Sequence, residues 1–274
     1  MGKRALFFIL LLCLFNVSSV ARGNARPLKI VAGTSLIEDV VLDLTDGQAK
    51  VQTLIPGSSC PGHNDVKTSD FVFMADADLV LLHPFQRTMP QVAAMVEAVH
   101  KASARIIIID GKGSWLIPEN QKRAARDIAA ILIAAAPERT RGINARLERR
   151  LGNIEQAETA SLAKLASLKN IPVVACAMQA EFLRWAGLDV VETYNRAEEM
   201  TPRDVANLID LTRGRGVAGV VDNYQSGARA GLPLALELKT MHLVLSNFPG
   251  SSDDAPDYVS LLRHNVRQLA RLAR

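Results

Sequence analysis

The chain is expected to fold as two α/β lobes with parallel sheets, joined by one long helix. Short runs that are apolar throughout alternate with helical segments near both ends of the chain. Between them lies a stretch that is helical almost without interruption. Strands apolar on both faces and separated by helices are those of a parallel sheet covered on both sides.

In the first lobe, Leu28 to Gly33 reads as a buried strand, and Thr34-Ser35 caps a helix running to Leu44. Val51 to Ile55 is a second strand, stopped by Pro56-Gly57. Thr68-Ser69-Asp70 opens a helix through Met74, Ala77 to Leu82 is a strand, Met89 to His100 a helix, and Ala104 to Asp110 a strand. From Pro118 the pattern turns helical, first over Glu119 to Ala135, then, beyond Pro137, from Glu138 to Leu168. Apolar residues at 143, 147, 151, 154, 162, 165 and 168 recur at spacings suited to one helical face. A helix of about 30 residues spans roughly 45 Å, enough to bridge two lobes. A solvated coiled-coil arm is the alternative, but the heptads are few and imperfect.

The α/β alternation then resumes. Strands are expected at Ile171 to Ala175, Leu188 to Glu192, Val217 to Val221 and Met241 to Leu245. Helices are expected at Gln179 to Ala186, Thr201 to Thr212, Gly227 to Lys239 and Tyr258 to Ala273, with Pro202 in the favoured first helical position. The organisation is thus a first lobe over 28–137, a linker helix over 138–169 and a second lobe over 170–274.

The amino terminus carries the pattern of a cleaved secretory signal: Lys3-Arg4, an apolar run from Ala5 to Val17, then Ser19-Val20-Ala21. Its about 13 apolar residues fall short of the roughly 20 that span a bilayer. Residues 1–21 are therefore read as a signal peptide, and the mature chain as a periplasmic protein. Cys13 lies too deep in the apolar run to be a lipidation site. Lys and Arg number 32 against 28 Asp and Glu, mixed along the chain. No basic stripe marks a nucleic-acid partner. There is no G-x-S-x-G, H-E-x-x-H or phosphate loop, so no catalytic constellation is visible.

The order of local motifs resembles that of the zinc/manganese-type periplasmic solute-binding proteins of ABC transporters. IVAGTSLIEDVV looks like that family's first strand and helix, and LIPGSSCPGHNDVKTSDF like its first ligand loop. ADADLV (75–80), WLIPEN (115–120), EFLRWAGL and the closing YVSLLRHNVRQLARLAR follow in the family's sequence. The resemblance covers nearly the whole mature chain. It implies a monomer with a ligand cleft between its lobes, a transition metal ion as cargo and a membrane permease as partner. Family members usually hold the metal with three histidines and one acidic residue. Of these, only the first falls on a donor of the same type, His63. The second falls on Gly113, the third on or near Cys176, and the acidic ligand near Ser246-Asn247.

Read by themselves, Cys60 and His63 form a C-x-x-H pair in a Gly/Pro loop, a spacing found in zinc sites. His83 ends a strand, where open α/β sheets bind ligands; a histidine that merely caps a loop is the alternative. Cys176 ends a strand of the other lobe, on the side the resemblance assigns to the cleft. Met178 is expected in the core, Asp222 and Asn223 at the cleft or a helix cap, and Asp65 in a turn or beside His63. Cys60, His63, Cys176 and His83 together make a soft donor set, favouring Zn(2+) or Cu(I) over manganese. A Cys60–Cys176 disulfide, structural or redox-active, is the competing account, as is a non-metal solute or metal complex in the same cleft.

Overall fold

The computed structural model describes residues 26–63, 67–99 and 105–273. The expected signal at 1–21, Cys13, Asp65 and His100 lie outside the described residues.

The first lobe runs β1 (Lys29–Thr34), α1 (Ser35–Thr45), β2 (Lys50–Ile55), α2 (Thr68–Ala75), β3 (Leu79–Leu82), α3 (Pro90–Val99) and β4 (Arg105–Ile108). Its four strands are parallel, in the order β2-β1-β3-β4. Two helices follow, α4 (Pro118–Ala135) and the long α5 (Thr140–Leu165). The second lobe runs β5 (Pro172–Cys176), α6 (Ala180–Trp185), β6 (Asp189–Tyr194), α7 (Pro202–Thr212), β7 (Gly219–Asn223), α8 (Leu232–Glu237), β8 (Met241–Leu245) and α9 (Tyr258–Leu269). Its sheet is also parallel, ordered β6-β5-β7-β8. Each lobe therefore repeats one topology: the chain steps one way to its second strand, then crosses back past the first, so the switch falls between β1 and β3 and between β5 and β7. Loops leaving the carboxyl ends of such strands diverge and open a crevice, the usual place for a ligand.

One apolar cluster runs from the first sheet through α4, α5 and α9 to one face of the second sheet, where Val173, Ala175, Val221 and Leu243 point. The other face points Val174, Cys176 and Val220 into a smaller cluster with Leu208, Leu234 and Ala235 from the α7–α8 side. Period-two alternation along β5 and β7 makes this division. On α5, Ile143, Ile154, Ala157 and Leu165 are buried. Leu162, expected on that face, is exposed, and Ser161 is buried instead, so the apolar stripe drifts as 3.6-residue geometry requires. Arg150, also buried, extends from α5 to α1 and donates to Asp39 (2.5 Å) and Asp43 (3.0 Å).

Two local readings change. The helix expected from Gly227 to Lys239 forms only over Leu232–Glu237: Gly227 adopts φ +111°, which breaks helical geometry. Thr34 precedes α1 as expected but makes no side-chain cap, because its hydroxyl is committed to His83. The caps of α7 and α9 do form, with Thr201 accepting from the Asp204 amide and Asp257 from the Ser260 amide.

The lobes meet through backbone-directed hydrogen bonds. Ser35 donates to the Pro249 carbonyl, Gln225 to that of Gly57 and Tyr258 to that of Leu116, while the Ser114 amide donates to Glu181. Gly57 permits this approach: a β-carbon there would stand 2.1 Å from the Pro249 oxygen. Among the described residues no helix is long and apolar enough to cross a membrane.

Candidate ligand cleft

A cavity of about 490 Å³ lies between the lobes, lined from the first by His83, Phe85, Gly111 to Leu116 less Lys112, and Leu36. The second lobe contributes Met178, Arg196, Asn247 and Phe248. Nearly all of these follow the carboxyl end of a strand: β3, β4, β5, β6 and β8 in turn.

The first-lobe wall is aromatic. The His83 ring stacks on Phe85 at 5.5 Å between centroids and meets the Trp115 ring edge-on at 4.3 Å. Burial pushes His83 down from its ordinary 6.5 to about 3, so the ring is neutral at physiological pH. Its Nε2 lies 2.8 Å from the Thr34 hydroxyl. The His83 amide and the Gly33 carbonyl are both held by the side chain of buried Gln86, which fixes this corner to β1. Gly111 lies beneath the Trp115 indole, where a β-carbon would collide with the ring nitrogen.

The second-lobe lining of Met178, Arg196, Asn247 and Phe248 is backed by a buried lattice of amides and hydroxyls. Gln179 donates to Asn223 and Asn247, Gln225 donates to Ser246, and Asn265 accepts from the Ser246 amide and donates to its carbonyl. Behind it, Asp222 accepts from Tyr194 and the Gly231 amide and lies 2.6 Å from His242 Nε2. Asp222 is thus wholly buried, away from the cavity. Asn223 belongs to the lattice, and Met178, expected in the core, is exposed in the cavity.

The four sequence-derived donors stand apart. Cys60 and His63 share one short turn, and His63 is exposed, 3.9 Å from Glu198 across the rim. His83 is in the aromatic wall. Cys176 points into the apolar layer below α7 and α8, not into the cavity. Burial raises its thiol pKa, offset in part by the amides of Met178 and Asn223. Both cysteines are free, so the disulfide alternative is not formed. Among the described residues no three of His, Cys, Asp and Glu converge where one ion could be held. Gly113, where the resemblance puts a ligating histidine, has φ +76° and leaves only 2.8 Å between an added β-carbon and Asn120 Nδ2. The usual donor set of a bare transition metal therefore does not fit these residues as arranged.

Sequence reading missed Phe85, Trp115 and Arg196 as cleft residues. Each stood just past a strand end, in HPF after β3, GSW after β4 and YNR after β6.

The sequence model of the zinc-uptake complex component A periplasmic (ZnuA) family matches residues 30–272. The chain belongs to this family. Its members are periplasmic components of metal uptake, so the protein is a transport component and not an enzyme. An uncharacterized protein of Rickettsia prowazekii is 21% identical over 252 residues, covering 89% of this chain and 83% of its own. Among solved structures, a ZnuA crystal structure matches with TM-score 0.77 at 17% identity, covering 90% of this chain and 100% of that one. A cadmium-bound periplasmic metal-binding protein from Candidatus Liberibacter asiaticus matches with TM-score 0.76 at 15% identity, over 89% and 99%. At these identities the structural likeness is one of fold.

Proposed function

We propose that this chain is the capture subunit of an ABC-type metal importer. It is exported by its amino-terminal signal, works as a single copy in the periplasm and passes its cargo to a membrane permease. The observation that carries this reading is the cavity at the carboxyl ends of both sheets, in a chain of the zinc-uptake family. A two-lobed capture protein needs such a site, because cargo bound by both walls holds the lobes together and gives the permease a surface to recognise.

Direct ligation of Zn(2+) or Cu(I) by Cys60, His63, Cys176 and His83 is one form of this reading. Its support is the loop shared by Cys60 and His63. It requires that loop to swing inward and Cys176 to rotate out of its apolar layer. Cargo arriving as a metal complex requires neither movement, and the aromatic wall facing Met178 favours it.

The test is native mass spectrometry with elemental analysis of protein purified from the periplasm without chelators, beside the Met178→Trp variant that fills the cavity. A stoichiometric bound species in the wild type, lost in Met178→Trp, is the expected result. A species retained equally by both would move the site out of the cleft. Protein with nothing bound, from cells that import metals normally without it, would end the capture reading.

A further inference from the structure

Resting on that cleft-capture reading, we infer that the cargo is a flat, π-bearing organic anion, carried in uptake as its metal chelate, and not a bare metal ion. Size is the first reason. A zinc ion with ligands at about 2 Å fills one coordination sphere, whereas this cleft, open at its mouth, offers about 490 Å³, room for a small organic molecule.

The second reason is the open apolar surface. Phe85 and Met178 are 44% and 46% exposed, both in the cavity and on opposite walls. A flat ligand entering between them would cover apolar surface on each face. On one side it would extend the ring stack that His83 and Phe85 begin. The Met thioether suits the opposite face, since sulfur packs well against π systems.

The third reason is charge. Arg196 lines the cavity, and its side chain has no hydrogen bond or ion pair with any described residue. Its Nη1 lies against Gly62 in the Cys60–His63 turn, 2.4 Å from where a β-carbon would be, so it reaches across the mouth to the opposite lobe. A permanent cation there opposes a bare divalent ion and attracts a carboxylate, which the guanidinium fork can bind through two hydrogen bonds. The nearby carboxylates are engaged elsewhere: Glu181 accepts from the Ser114 amide, and Glu198 faces His63. Asn247 supplies a polar contact from the same lobe as Arg196.

The fourth reason is a buried donor. Trp115 Nε1 has no acceptor among the described residues, although the residue is almost wholly buried in the cavity wall. An unpaired buried donor is costly, and a small shift of the indole on cargo entry would give it an acceptor oxygen.

Titration calorimetry on the mature chain decides the matter, with three probes: zinc sulfate, pyridine-2,6-dicarboxylate, and the one-to-one zinc complex of that acid. The expected result is binding of the complex, weakened roughly tenfold or more by Arg196→Gln and also weakened by Phe85→Ala, with bare zinc silent. Binding of the metal-free acid as well would show that the anion alone is recognised; binding of the complex alone would show that the metal contributes. Tight zinc binding unaffected by Arg196→Gln but abolished by Met178→Trp would overturn the anion and leave cleft capture standing. Zinc binding unaffected by either variant would overturn both. Failure of acid and complex to bind, whatever zinc does, overturns the inference.

Discussion

The two lobes share a strand order and a direction of chain, yet finish their sheets with opposite chemistry. The first ends β3 and β4 in rings, His83, Phe85 and Trp115, packed face and edge. The second ends β5, β7 and β8 in side chains that donate to one another, Gln179, Asn223, Gln225, Ser246 and Asn247. Ring packing presents broad apolar faces and edges. An amide lattice is directional and holds one geometry. The first lobe thus meets the cavity with rings, while the second braces its lining from behind through a fixed lattice that reaches the cavity at Asn247.

The largest effect expected on this contrast is in the ring wall. Trp115→Ala removes the piece that His83 and Gly111 pack against and should cost about 3–5 kcal/mol, read as a lowered urea midpoint with unchanged slope. Behind the opposite wall, Asn265→Ala strands both the amide and carbonyl of Ser246 and should cost about 2–3 kcal/mol. A smaller loss than this would mean that water replaces the lattice and that the second wall is softer than its hydrogen bonds imply.

His83 separates the walls by pH. Its folded-state pKa, about 3, lies below the ordinary 6.5, so the unfolded chain takes up a proton that the folded chain refuses. This stabilisation is complete above pH 6.5 and is lost as pH falls from there toward 3, by about 1.4 kcal/mol per unit. Between pH 6.5 and 5 the wild type should lose roughly 2 kcal/mol more than His83→Asn does. Parallel curves for the two proteins would show that the ring is reached by water. The smallest expected effect is Thr34→Val, which removes the partner of His83 Nε2 and should cost about 1 kcal/mol, measured by thermal unfolding at pH 8.

How far the sequence reached differs between fold and site. The strands of both sheets were legible because parallel strands buried on both faces must be apolar along their whole length, as LVLL at 79–82 and PVVAC at 172–176 are. The Gly227 break and the exposed Leu162 were not legible, since one depends on a local dihedral and the other on which neighbour the helix meets. In the site, His83 was found at its strand end, but a strand end does not say which way a side chain points. Cys176 illustrates this: it ends β5 on the cleft side, yet its pleat turns the thiol under α7 and α8. Arg196 and Phe85 escaped notice because a lone arginine or phenylalanine in a loop has no distinguishing spacing.

The sequence by itself determined the class of fold, the long central helix and the family, because burial periodicity and motif order are properties of the chain read along its length. Only the tertiary structure decided what the cleft contains. Which side chains face a cavity depends on pleat, loop direction and the approach of a second lobe through glycines such as Gly57. None of these is encoded in the spacing of donors along the chain.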